Sequence, residues 1–163
     1  MKGLKNKKGF TLIELLAVIV VLAIVTVIAS SSILPYMANA GKDAFVSEAN
    51  IAIDGASNAM SLISLGNVST SNYTTGTDTD GNTTYCFTLQ NLKDLSLWDK
   101  DDENYAGKVV VTVPKAGGYS YTYTVTMHNK DYYVAESGTI AADDVEDYKT
   151  HTDYQSTTAF VCS

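Results

Sequence analysis

From Leu15 to Gly41 the chain runs twenty-seven residues without a charged side chain. As a helix rising 1.5 Å per residue it would measure about 40 Å, more than the roughly 30 Å of hydrocarbon in a bilayer. The chain after it is rich in Thr, Ser, Asn, Asp and Tyr, a composition that belongs in water. The pattern predicts a membrane-spanning helix joined to one solvated domain, and 163 residues is the size at which a single core plus an appendage is expected.

Charge follows the same division. Lys2, Lys5, Lys7 and Lys8 precede Phe10, and all eighteen acidic residues follow it. A surface so acidic will not seek nucleic acid, and the absence of arginine removes the usual bidentate phosphate reader. Lysines followed by an apolar run fit a secretory signal peptide, with Ala38-Asn39-Ala40 as a cleavage site leaving Gly41 first. They also fit a plain transmembrane anchor with its basic flank inside. Glu14 distinguishes a third reading. A carboxylate in an apolar helix costs about 2.5–3.5 kcal/mol at the bilayer centre and less near its surface. Neither a discarded signal nor a simple anchor gains from it, so the residue calls for a function and a partner.

Lys8-Gly9-Phe10-Thr11-Leu12-Ile13-Glu14, leading into the uncharged run, resembles the prepilin signature of type IV pilins and type II secretion pseudopilins. The resemblance implies cleavage by a prepilin peptidase between Gly9 and Phe10, on the cytoplasmic side, and methylation of the new Phe10 amine. It implies that Glu14 pairs with the Phe10 ammonium of a neighbouring subunit. Such pairing would convert the cost of a lone buried carboxylate into a register signal for assembly. Many relatives carry proline where this chain has Ser31; here the nearby proline is Pro35, and a helix kink is expected there.

Beyond Pro35 the apolar residues become one-sided. Phe45, Ala49, Ala52, Ala56, Ala59 and Ile63 recur at helical spacing, with Val46, Ile53 and Met60 beside them and Gly66 as the expected C-cap. Residues 67–82, NVSTSNYTTGTDTDGN, read as a surface loop; it holds three N-x-[ST] sequons, at Asn67, Asn72 and Asn82. Strands are predicted at Thr83–Leu89, Lys108–Val113, Tyr119–His128 and Asp131–Ser137, with a helical turn within Leu89–Trp98. The alternating Tyr119, Tyr121 and Tyr123 are expected to line a solvent or subunit surface. The fold class is thus α+β: a long N-terminal α-helix, half hydrophobic and half amphipathic, packed on a three- or four-stranded antiparallel sheet. Its segments are a leader (1–9), an apolar helix (10–37), an amphipathic helix (38–66) and a head of loop and sheet (67–163).

Two cysteines after an export-like N-terminus favour one disulfide, Cys86–Cys162. It resembles the C-terminal disulfide loop of many pilins. No catalytic constellation emerges: His128 and His151 stand alone, and neither cysteine has C-x-x-C spacing. Asp78-Thr79-Asp80-Gly81-Asn82 lacks the sixth-place glycine and distal glutamate of an EF-hand loop, and Asp99–Glu103 reads as a solvated acidic run. No enzyme activity, metal or cofactor is expected. The resemblance implies a structural subunit, held in the membrane first and then in an extracellular filament of like subunits. The peptidase and the pilus assembly machinery are the other partners it implies. A pseudopilin, and a secreted binding domain with a conventional signal peptide, are the alternatives.

Overall fold

The computed structural model describes residues 10–100, 105–116, 120–148 and Cys162. Helix α1 spans Leu12–Ser64. Two units divide the chain, residues 1–40 and 41–163. In the first unit every apolar residue from Leu12 to Ile28 is exposed, because uniformly apolar sequence offers no single face to bury. Thr26 and Ser30 turn their hydroxyls back onto the carbonyls of Leu22 and Thr26, at 2.6 and 2.8 Å, which removes their polarity from the surface. α1 is unbroken at position 35.

In the second unit, α1 lies on a six-stranded antiparallel meander in the order β1 to β6: Thr74–Thr77, Thr83–Thr88, Ala106–Val113, Thr122–His128, Tyr132–Ser137 and Glu146–Asp147. Ala49, Ala52, Ala56 and Ala59 are fully buried, together with Phe45 and Met60; Val46, Ile53 and Ile63 flank them. Small side chains on the helix let the sheet approach its axis. Cross-strand register brings Phe87, Val109 and Val125 into one row and Gly107, Met127 and Val134 into the next, and these rows close the core from the sheet side. At Gly107 there is no room for a side chain: a Cβ there would stand 2.8 Å from the Thr126 carbonyl oxygen and 2.9 Å from Met127 Cα. α1 ends in a Schellman turn. Gly66, at φ +73°, donates to Ile63 and Asn67 donates to Leu62, as the C-cap reading of Gly66 requires.

The predicted loop 67–82 needs correction. It contains a 3-10 turn, Thr70–Asn72, and strand β1. Thr-Thr-Gly-Thr has no apolar alternation to announce a strand; pairing with β2 holds it. The meander is accordingly wider than the three or four strands expected, with β6 added from the tail. β2 stops at Thr88, one residue short of the prediction, because Thr88 caps helix α2, Leu89–Asp94, in a reciprocal capping box with Asn91. The tyrosine row is also corrected: Tyr123 packs against the core and bonds Ser57 on α1 at 3.2 Å, while Tyr121 is exposed. Tyr119 lies outside the described residues.

Between β5 and β6 the chain is held by side chains of α1 rather than by strand pairing. Asn50 Nδ2 donates to the Ile140 carbonyl and the Ile140 amide donates to Asn50 Oδ1, both at 3.0 Å. Lys42 adds a bond to the Val145 carbonyl at 2.9 Å. On the outer face of the sheet Cys86 is disulfide-bonded to Cys162, with Cα atoms 5.7 Å apart. The bond joins positions 76 residues apart and restricts the unfolded chain by about 4 kcal/mol in the loop-entropy description.

Candidate functional site

The described residues of the N-terminal signature, Phe10 to Glu14, lie at the start of α1. Thr11 precedes the helix and Glu14 is its third residue, so Thr11-Leu12-Ile13-Glu14 is a capping box. The Thr11 amide and the Thr11 hydroxyl both donate to Glu14 Oε2 at 2.8 Å. In return the Glu14 amide donates to Thr11 Oγ1 at 3.3 Å. The first four amides of a helix have no intrahelical acceptor, and this exchange satisfies two of them, those of Thr11 and Glu14. A carboxylate at the positive end of the helix dipole is favoured as well. Glu14 therefore has a partner within its own chain, and its Oε1 carries no hydrogen bond among the described residues. Sequence reasoning misses Thr11, although the T-x-x-E spacing that identifies it stands in the sequence.

Phe10, immediately before the box, is 91% exposed. Gly9 and the four leading lysines lie outside the described residues. From Leu12 to Ser30 the helix is long and apolar enough to cross a membrane, and none of its most apolar part is buried. Nineteen residues rise about 28 Å, the thickness of the hydrocarbon layer. Capped at Thr11, the segment beyond Glu14 is apolar on every side and offers hydrocarbon to its surroundings.

Residues 4–30 match the family model of the prokaryotic N-terminal methylation motif. The segment is a type IV prepilin signature. Motifs of this kind are where a prepilin peptidase cleaves and methylates, and the match makes the start of the chain similar to that of pilins and pseudopilins. The apolar helix followed by a helix-backed antiparallel sheet is the α+β arrangement of type IV pilins. The match ends at Ser30 and leaves residues 31–163 outside it. No curated protein and no solved structure matches the chain.

The other polar groups singled out in the sequence are occupied structurally. Asp78 accepts hydrogen bonds from the Asn82 side chain and amide and from the Asp80 amide, at 2.9, 2.8 and 3.0 Å. Those bonds, led by the Asn82 side chain, hold its carboxyl below the usual carboxylate range. Asn82 Oδ1 accepts from the Lys115 amide at 3.1 Å, so both ends of that sequon's side chain are engaged. Among the described residues no three His, Cys, Asp or Glu side chains converge to hold a metal ion; Asp101, Asp102, Glu103 and His151 lie outside them. His128 stacks on Tyr148, with ring centres 4.2 Å apart, and burial lowers its pKa. Tyr105, beside Trp98, has its hydroxyl pushed up to about 12 by burial and by the neighbouring Glu48. The shallow depression it shares with Asn129, Lys130 and Asp131 brings no nucleophile and base together.

Proposed function

We propose that this chain is the precursor of a structural subunit of a type IV pilus, which polymerises through its N-terminal helix into an extracellular filament. The observation that carries the reading is the capped, all-round apolar helix that starts directly after Phe10 and Thr11. Hydrocarbon can cover that surface before assembly and like helices can cover it afterwards, with Glu14 as the polar group that needs a partner on the way. Cleavage after Gly9 would leave an ammonium on Phe10, and Glu14 Oε1 would accept it from the neighbouring subunit while Oε2 keeps its bonds to Thr11. A bend at Pro35, where the helix loses one backbone donor, would let the apolar and amphipathic halves adjust separately during packing. The head, stapled by Cys86–Cys162, would form the surface of the filament and serve adhesion or motility.

Mass spectrometry of the mature N-terminus tests the processing step: methylated Phe10 is expected, and a chain beginning at Gly41 would refute it. Glu14→Ala should leave cleavage intact and suppress filaments seen by electron microscopy of sheared cells. Normal filaments from that variant would sink the role given to the carboxylate.

A further inference from the structure

The two edges of the sheet differ. β6 is two residues long and acidic, Glu146 and Asp147, a form of edge that discourages pairing. β1 has four exposed residues and pairs with β2 through four consecutive positions without a bulge. It contains no lysine, proline or charge, and residues 67–77 hold no charged side chain at all. The register of the hairpin shows which backbone groups point outward. The Asp78 amide donates to the Asn82 carbonyl and Gly81, at φ +81°, donates to Asp78, so positions 78 and 82 form the hydrogen-bonded pair next to the turn. Bonded pairs alternate along an antiparallel ladder. Gly76 and Thr74 therefore turn their amides and carbonyls toward β2, and Thr75 and Thr77 turn theirs away from the sheet.

We propose that this edge pairs with the same edge of a second copy of the chain, antiparallel about a twofold axis through Gly76. In that register Thr75 of one copy faces Thr77 of the other, and four backbone hydrogen bonds form from the outward groups. The two Gly76 residues meet as a non-bonded pair, where Cα atoms approach to about 4.5 Å and side chains would crowd most. Thr75 and Thr77 share one face and form two cross-strand threonine pairs. A twofold contact sets each surface against itself, which selects an uncharged patch in residues 41–163, where seventeen acidic residues outnumber seven lysines. The pairing is independent of filament assembly and would join heads of separate subunits.

The test uses the full chain in detergent micelles with single cysteines added at the edge. Gly76→Cys should form a disulfide-linked dimer, its Cβ being accommodated by rotation of the Thr84 hydroxyl 3.0 Å away. A mixture of Thr75→Cys and Thr77→Cys chains should cross-link, whereas either alone should not, because same-numbered positions lie more than about 7 Å apart in this register. Adding Thr75→Lys and Thr77→Lys to the Gly76→Cys chain sets lysine opposite lysine and should abolish its dimer without altering the near-ultraviolet circular dichroism of the head. Absence of the Gly76→Cys dimer, its survival in the lysine variant, or equal cross-linking of Thr75→Cys with itself would overturn the proposal.

Discussion

Replacing Asn50 by alanine should destabilise the head more than any other substitution of a polar residue on its helix. Ile140 is 3% exposed, and its amide and carbonyl both depend on the Asn50 side chain, at 3.0 Å each. The variant removes both bonds and leaves two backbone groups away from water. Each such group costs about 1–3 kcal/mol, so a loss of about 3 kcal/mol is expected for the pair. For the unit from Gly41 to Ser163 that corresponds to a fall in Tm of about 10 °C or more. Thermal and urea unfolding of the oxidised chain, followed by near-ultraviolet circular dichroism, would measure it; the urea m-value should be unchanged. Asn50→Asp keeps the acceptor for the Ile140 amide and loses the donor to the carbonyl, so its stability should rise as acid protonates the new carboxyl. A cost below about 1 kcal/mol for Asn50→Ala, within the usual range of surface substitutions, would refute the idea that this one amide holds the segment after β5.

Other perturbations bear on separate parts of the head. Gly107→Ala should cost about 2–3 kcal/mol in the same unfolding assay, since the added methyl meets the backbone of β4 rather than a movable side chain. Ser96 ends α2 at φ +60°, donating to Lys93 while Leu97 donates to Leu92. Glycine suits that conformation better, so Ser96→Gly should stabilise by about 1 kcal/mol. Burial lowers the pKa of His128 in the folded head, so below about pH 6.5 the unfolded chain takes up the proton first. The contribution of His128 is then complete above that pH and is lost as pH falls toward its lower folded value. Unfolding midpoints measured across that range should drop for the native chain and less steeply for His128→Gln.

The helices are legible because their periods survive in the sequence. Phe45, Ala49, Ala52, Ala56 and Ala59 return to one face every three or four residues, and Gly66 has the conformational freedom to close the last turn. β3 to β5 are legible for the matching reason, a run of β-branched and aromatic residues between turns. β1 is not, since Thr74–Thr77 has neither apolar alternation nor bulk and becomes a strand through its partner. Tyr123 faces inward against expectation because three alternating tyrosines specify a common side without saying which side α1 will cover. Glu14 is legible as a carboxylate at the start of an apolar run and in search of a partner, but the nearer partner, Thr11, needs the helix to start at Leu12 before the two can be seen to exchange bonds.

What the sequence by itself determined is the signature at its start and the apolar character of the segment after it: local composition and spacing decide whether a segment can lie in hydrocarbon, and a motif of this kind is read along the chain. Tertiary structure alone decided the pairing of β1, the clamp of Asn50 on Ile140 and the outward turn of Thr75 and Thr77. Those features depend on groups far apart in the chain meeting across a register, and single-residue preferences carry no record of a register.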